Sequence, residues 1–353
     1  MNVVDKIVEW LPEERYAALI TSPLSLRYVC GFPLENGILL IFHERSILFV
    51  TARDFEYASA KADGFSVQVL SSGRQMLELL IKYSVKHIYT EADKITVAEF
   101  NTYKEQLHYA EVLASEELSE KLVQLRTVKS DEEIAAIYNA QKICDKAYER
   151  ILGTARKGMT ERQIAALLSF YIMDFGAEEL AFPTIALSGE NTAHQRSGPT
   201  VRPIREGDFL ILEFGAKYNG YYASMCRTVA VGSVDSTRDN MYNAVSCALQ
   251  DGLKTLRAGI GGKVADSVAK ATLNAWGADK YCSVNFAHGI GLEAVEPPFL
   301  RQGSSVTLKA KTVLSAACGI STGRYGIKIG DIAVLTEEGC ADLTAATKSI
   351  VRI

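Results

Sequence analysis

The stretch EGDFLILEFGAKYNGYYASMCRTVAVG, residues 206–232, decides the fold of the second half of the chain. It holds two long apolar runs, FLILEFGAKY at 209–218 and GYYASMCRTVAV at 220–231, and both are typical of β-strands. Two similar runs follow, KTVLSAACGI at 311–320 and YGIKIGDIAVLT at 325–336. Together these segments predict an antiparallel sheet.

Helical patterns accompany these strands. Apolar residues recur at steps of three and four from Ile134 to Ile151, which predicts a long amphipathic helix. Ser130 and Glu133 form a capping box at its start. Helices packed on an antiparallel sheet define an α+β domain. Further helices are predicted at about 161–175, 241–256 and 264–273.

The first part of the chain has a different rhythm. From Tyr16 to about Leu113, short apolar runs such as GILLIF and SILFV alternate with helical patterns, which indicates an α/β domain. A polar, acidic segment, 115–121, follows it. We therefore predict an N-terminal domain over 1–125 and a second domain over 126–353.

Composition excludes several classes of function. The chain has 353 residues, 48% hydrophobic, and a formal net charge of −4, so it lacks the basic excess of a dedicated nucleic-acid surface. No apolar run reaches the roughly 20 residues of a membrane span. The acidic N-terminus and seven scattered cysteines suit a cytoplasmic protein with reduced thiols. We expect neither a nucleic-acid nor a membrane partner.

Five motifs occur in a fixed order, namely AFPTIALSG, EGDFLILEFGA, GYYASMCRT, HGIGLE and LTEEG. In order and spacing they resemble the creatinase/prolidase family of Xaa-Pro peptidases. LITSPLSLRYVCGF and LRTVKSDEEIAAI resemble its N-terminal domain and its linker with the first catalytic-domain helix. The resemblance implies a creatinase-like α/β domain, a pita-bread C-terminal domain and a homodimer.

Active peptidases of this family hold two divalent ions with two Asp, one His and two Glu, because adjacent dications need several anionic oxygens. The matching positions in this chain are Glu213, Ser224, His288, Ala317 and Gly330. Only Glu213 and His288 keep a side chain that can bind a metal ion. No acid occurs between Phe214 and Val234 or from Thr312 to Arg324, so two of the losses do not depend on the alignment. Asp331 adjoins Gly330, but a one-residue slip in a strand turns the side chain to the opposite face, which makes it a weak substitute.

Two further histidines of the family bind substrate, and their positions match Arg196 and Val295. His194 lies two residues before Arg196 and is a candidate partial replacement. Creatinase itself works without metal, but its acid and its essential His match Cys226 and Arg196 here. The resemblance therefore supports neither mechanism.

Other interpretations stay open. Strand alternation places Tyr222, Ser224 and Cys226 on one face, and a Cys226 thiol near His288 could act as a nucleophile. The cavity could instead bind a ligand. Candidate binding residues are His194, Arg196, Arg202, Tyr222 and Lys328.

Glu213 and His288 are the residual metal candidates, although a hydrogen bond between them is the more ordinary expectation. We therefore interpret the chain as an Xaa-Pro peptidase homologue that is non-catalytic or metal-independent, with no cofactor expected and a peptide or small anion as ligand. The alternatives are an active Xaa-Pro peptidase with Mn, Co or Zn, and a metal-independent hydrolase that uses Cys226.

Overall fold

The first unit ends at Arg126 and is built on a six-stranded mixed sheet. The structure, a computed structural model, describes residues 2–353. The strands of this sheet are β1 (Tyr16–Ile20), β2 (Gly37–Phe42), β3 (Arg45–Val50), β4 (Ser66–Val69), β5 (His87–Glu91) and β6 (Glu111–Ser115). The helices are α1 (Val3–Val8), α2 (Pro23–Cys30), α3 (Phe55–Lys61), α4 (Gly73–Lys82), α5 (Val97–Gln106) and α6 (Glu116–Thr127).

Strand order in this sheet is β4-β3-β2-β1-β5-β6. The pairs β1–β2 and β2–β3 are antiparallel, whereas the outer pairs and β1–β5 are parallel. Ala17 and Leu19 pack into one apolar cluster, and Ala18 and Ile20 into another on the opposite face. Because both faces are covered, the central strands read as continuous apolar runs, and this produced the α/β signal in the sequence.

The second unit, Thr127–Ile353, is built on a nine-stranded antiparallel sheet. Its helices are α7 (Asp131–Thr154), α8 (Glu161–Asp174), α9 (Ser236–Thr255) and α10 (Lys263–Ala275), with short 3-10 turns at Gly189–Ala193 and Asp279–Tyr281. Its strands are β7 (Glu179–Leu180), β8 (Ile185–Ser188), β9 (Phe209–Tyr218), β10 (Tyr221–Ala230), β11 (Ala287–Gly289), β12 (Glu296–Leu300), β13 (Val313–Ser321), β14 (Gly326–Leu335) and β15 (Cys340–Asp342).

The main strand order is β12-β11-β13-β14-β10-β9-β7, with β8 paired to β9 and β15 to β14. Helices α7 and α8 pack with β9 and β10 in one cluster, and α9 and α10 pack with β13 and β14 in another. The capping box before α7 is confirmed. The Glu133 amide donates to Ser130 Oγ at 3.2 Å, and the Ser130 amide donates to the Glu133 carboxylate at 2.6 Å. The predicted fold class is thereby confirmed, with an α/β unit followed by an α+β unit.

Over residues 2–353, none of the helices combines the length and the apolar character that a membrane span requires.

Candidate functional site

A row of four paired residues crosses the centre of the large sheet. Glu213 on β9 pairs with Cys226 on β10, Cys226 with Gly330 on β14, and Gly330 with Ala317 on β13. Side chains at paired positions point to the same face of a sheet, so this row forms one floor. Above the floor lies a cavity of about 860 Å³, lined by all four residues. The strands thus bring three of the five family positions into one line.

The other two family positions lie in the same cavity. Ser224, two residues before Cys226, faces the cavity, and its Oγ lies 3.1 Å from Oγ of Ser315. Ser315 pairs with His288 on β11, which also lines the cavity. The structure therefore gathers Glu213, Ser224, His288, Ala317 and Gly330 around one space.

The Glu213 carboxylate is held by an ion pair. Lys328 Nζ donates to Glu213 Oε1 at 2.6 Å, and the two side chains are 15% and 22% exposed, respectively. Burial alone would lower the pKa of the Lys328 ammonium, but the coulombic effects of Cys226 and Glu213 raise it. An ammonium of this side chain therefore neutralises the one acid left at the family positions.

The sequence-based prediction of a hydrogen bond between Glu213 and His288 is wrong. Glu213 bonds to Lys328, and His288 Nδ1 lies 2.9 Å from the Gly289 carbonyl oxygen. Three strands, β10, β14 and β13, separate β9 from β11.

The protonation of His288 follows from this contact. A carbonyl oxygen only accepts, so Nδ1 carries the hydrogen and Nε2 is the bare nitrogen of the neutral ring. Burial lowers the pKa of His288, which keeps the ring neutral at physiological pH.

Cys226 is a buried thiol. It is 4% exposed, and its Sγ donates to the Lys328 carbonyl oxygen at 3.5 Å. Burial, and then the Glu213 charge, raise the pKa of the thiol. A thiolate is the reactive species of cysteine, so this environment disfavours the nucleophile interpretation of Cys226.

Asp331 lies on the other face of β14. Its side chain is fully buried and accepts from Arg227 at 2.6 Å, with Lys348 Nζ 3.2 Å from its second oxygen. Arg227 also donates to the carbonyl oxygens of Cys226 and Gly330 at 2.8 Å each. This carboxylate is part of a structural ion pair beneath the floor and does not reach the cavity.

The candidate binding residues divide into two groups. Arg196, Val295 and Lys328 line the cavity, whereas His194 and Tyr222 are not among its lining residues in 2–353. Because His194 lies outside this lining, the structure contradicts its candidacy as a partial replacement in the cavity. The Tyr222 hydroxyl donates to Glu179 at 2.5 Å instead of facing a ligand.

Arg202 is committed to its own neighbours. Its guanidinium donates to Asp208 at 2.6 Å and to Ser188 Oγ at 2.8 Å. It therefore supports the loop that follows β8 and contributes no free charge to the cavity.

The loop that carries Arg196 is anchored by a buried acid. Glu161, at the start of α8, is fully buried and accepts from the amide and hydroxyl groups of Ser188 and Thr200 and from the Asn191 side chain. Burial alone would raise the pKa of Glu161, but hydrogen bonds from Thr200 and Ser188 lower it. The ionised carboxylate thus joins both ends of the 188–200 loop.

Several residues that line the cavity were not predicted from the sequence. Ser315 lies two residues before Ala317, so strand alternation could have identified it. Lys270, Gln195 and Asn285 come from a helix and two loops, where no periodic signal marks a cavity residue.

The donor set does not fit a pair of divalent ions. Across residues 2–353, no group of three or more His, Cys, Asp or Glu side chains could hold a metal ion. Glu213 is bonded to an ammonium, and Ser224, Ala317 and Gly330 offer no carboxylate. Hard divalent cations need several anionic oxygens in one place, and the sheet supplies one.

Comparison with known proteins agrees with the motifs. The profile of metallopeptidase family M24 matches residues 135–337, and the profile of the creatinase/prolidase N-terminal domain matches residues 4–128. An uncharacterized peptidase of Bacillus subtilis is 30% identical over 94% of each chain, and an Xaa-Pro dipeptidase of Pyrococcus furiosus is 26% identical over 99% of each chain.

A solved Xaa-Pro dipeptidase from Bacillus anthracis superposes with a TM-score of 0.93 at 28% identity, covering 99% of this chain and 98% of that one. The prolidase from Pyrococcus horikoshii gives a TM-score of 0.90 at 26% identity, covering 99% of both chains. The family resemblance predicted from the motifs is confirmed. The chain belongs to metallopeptidase family M24, with a creatinase/prolidase N-terminal domain followed by the pita-bread domain.

Proposed function

We propose that this chain is a non-catalytic or metal-independent member of the Xaa-Pro peptidase family whose cavity binds a peptide or small anion. One observation carries the proposal. The only carboxylate at the five family positions, Glu213, is neutralised by Lys328, and Cys226, Gly330 and Ala317 continue its row. No cofactor is part of the proposal.

Charge explains why this arrangement disfavours metal. A dication at Glu213 would have to displace an ammonium 2.6 Å away, and two like charges in a partly buried site repel each other strongly. Glu213 and His288 together offer at most two protein ligands to one ion, and two ligands would hold a hydrated ion only weakly.

The deciding experiment combines metal analysis with an activity assay. The full chain is stripped with chelator, loaded separately with Mn²⁺, Co²⁺ or Zn²⁺, and analysed for bound metal by mass spectrometry. Xaa-Pro dipeptides and tripeptides are then tested as substrates. We expect no stoichiometric metal and no turnover above that of chelator-treated protein and of Glu213→Gln.

The main alternative is an active Xaa-Pro dipeptidase or aminopeptidase. What favours it is the similarity to proteins named Xaa-Pro dipeptidase over nearly the whole chain, together with the retention of Glu213 and His288. Binding of two ions per chain with turnover that Glu213→Gln abolishes would establish this alternative and remove the proposal.

The hydrolase alternative based on Cys226 has less support, because burial and Glu213 both raise the pKa of its thiol. Metal-free hydrolysis that disappears in Cys226→Ala would favour it. We also propose that the chain is a cytoplasmic homodimer without nucleic-acid or membrane partners. Light scattering of the purified chain tests the dimer directly.

A further inference from the structure

The positive and negative charges of the side chains that line the cavity are unequal in number. They are Arg196, Lys270 and Lys328, with Glu213 as the acid. Lys270 Nζ lies 2.7 Å from Asp266, which is 3% exposed, and Lys328 is paired with Glu213. Within residues 2–353 Arg196 has neither a hydrogen bond nor an ion pair. The cavity therefore carries one uncompensated positive charge.

This charge lies near a second cation. Arg196 is an exposed side chain that lines the same cavity as Lys328, and its positive charge acts to lower the pKa of the Lys328 ammonium. One N–H of Lys328 Nζ bonds to Glu213, which leaves two for a ligand in the cavity. A single anionic group between the two cations would remove their repulsion and accept hydrogen bonds from both.

The cavity also offers a hydrogen-bond acceptor, His288. His288 Nδ1 donates to the Gly289 carbonyl oxygen, so Nε2 presents a bare lone pair. A second anionic oxygen there would be repelled, whereas an N–H or O–H group would find a partner. The apolar walls include Phe182, Ile185 and Val295.

We propose that the ligand is a small carboxylic acid with one negative charge and one N–H or O–H group, with its carboxylate between Arg196 and Lys328 and its donor directed to His288. This assignment rests on the proposed binding function and narrows its ligand class. A dianion is disfavoured because Glu213 adjoins Lys328. A free amino acid or unblocked dipeptide has no net charge and would leave Arg196 uncompensated.

The test uses four probes and isothermal titration calorimetry on the full chain at low ionic strength. N-acetylglycine carries one charge and an N–H, and levulinate has the same length and charge without the N–H. Glycinamide supplies a cation, and inorganic phosphate supplies a more highly charged anion. We expect N-acetylglycine to bind about tenfold or more tightly than each of the other three.

Variants identify the contacts. Arg196→Gln is expected to weaken N-acetylglycine binding about tenfold, whereas Arg324→Gln, the same charge change at an exposed position outside the cavity lining, leaves it unchanged. His288→Phe should remove the preference for N-acetylglycine over levulinate. Lys328→Met should weaken both carboxylates.

Several results would overturn the assignment. They are tighter binding of phosphate or glycinamide, equal affinity for N-acetylglycine and levulinate, and equal effects of the two Arg variants. These outcomes leave the metal question untouched. Turnover of Xaa-Pro peptides with two bound ions would refute the proposed function itself, whichever probe binds.

Discussion

Replacing Lys328 with Met tests whether its ammonium neutralises the floor of the cavity. Methionine keeps most of the aliphatic length of lysine, so the substitution removes the charge while it preserves packing. The companion variants are Glu213→Gln and the double variant. The double-mutant cycle separates the pair interaction from the cost of each change alone.

The exposure of the two side chains sets the magnitude. Ion pairs on the surface are worth at most about 1 kcal/mol, whereas removing one partner of a fully buried pair costs about 3–5 kcal/mol. Lys328 and Glu213 are 15% and 22% exposed, so they lie between these limits. We expect Lys328→Met to lower the free energy of unfolding of the second unit by about 2 kcal/mol, with a coupling energy of about 1–2 kcal/mol.

The assay must report on the second unit alone, because two-domain chains need not unfold in a single step. The chain has two tryptophans, Trp10 and Trp276, one in each unit. In a Trp10→Phe background, Trp276 fluorescence during urea titration follows the second unit. Because the pKa of Lys328 is raised in the folded protein, its contribution to the free energy of unfolding is fully present below the ordinary lysine range and is lost only above it. A pH of 7.5 is therefore suitable for the measurement.

Lys254→Met is the matched control, since Lys254 pairs with Asp251 at 3.0 Å but is 73% exposed. It should change the free energy of unfolding by less than about 0.5 kcal/mol. A coupling energy between Lys328 and Glu213 that is indistinguishable from zero would show that both groups are fully solvated. Neutralisation of this floor by the Lys328 ammonium would then be refuted.

Two further predictions concern buried groups. Glu161→Gln should lower the free energy of unfolding by about 2–3 kcal/mol at pH 7. Hydrogen bonds lower the pKa of Glu161 in the folded protein, so the wild type should be the more stable protein above the ordinary carboxyl range and should lose this difference as the pH falls through the pKa of the folded state. A stability difference that is the same at pH 7 and pH 3 would contradict this prediction. Timed maleimide labelling of the native protein at pH 8, read by peptide mass spectrometry, should modify Cys247 and Cys282 before Cys226. The first two are half-buried, whereas Cys226 is buried and the pKa of its thiol is raised. Labelling of Cys226 before the other two would instead support its role as a nucleophile.

Local patterns in the sequence account for most of the fold and for part of the floor. The continuous apolar runs of β9, β10, β13 and β14 identified the sheet, and strand alternation correctly placed Ser224 and Cys226 on one face, where both line the cavity. The losses at Ser224 and Ala317 could be stated from counts of acids alone. These features depend on neighbours in the chain or on one strand.

The partner of Glu213 could not be predicted in the same way. Lys328 is 115 residues further along the chain and lies on β14, with β10 between it and β9. Its long side chain crosses this intervening strand, so the contact depends on the register of three strands at once. The expected bond to His288 failed for the same reason, because sequence motifs give no distance across a sheet.

The cavity floor differs from the family pattern in its residues but has the same net charge. The family resemblance implies four carboxylates opposite two dications, a neutral sum, whereas this floor holds one carboxylate opposite one ammonium, which is neutral as well. Restoring a single acid would break that balance. It would also meet packed atoms, because a Cβ at Gly330 would lie 3.2 Å from the Ala317 Cβ and 3.4 Å from the Cys226 Cβ. Under the proposed function, the floor is packed and electrically neutral, and Arg196 supplies the positive charge that would recognise an anionic ligand.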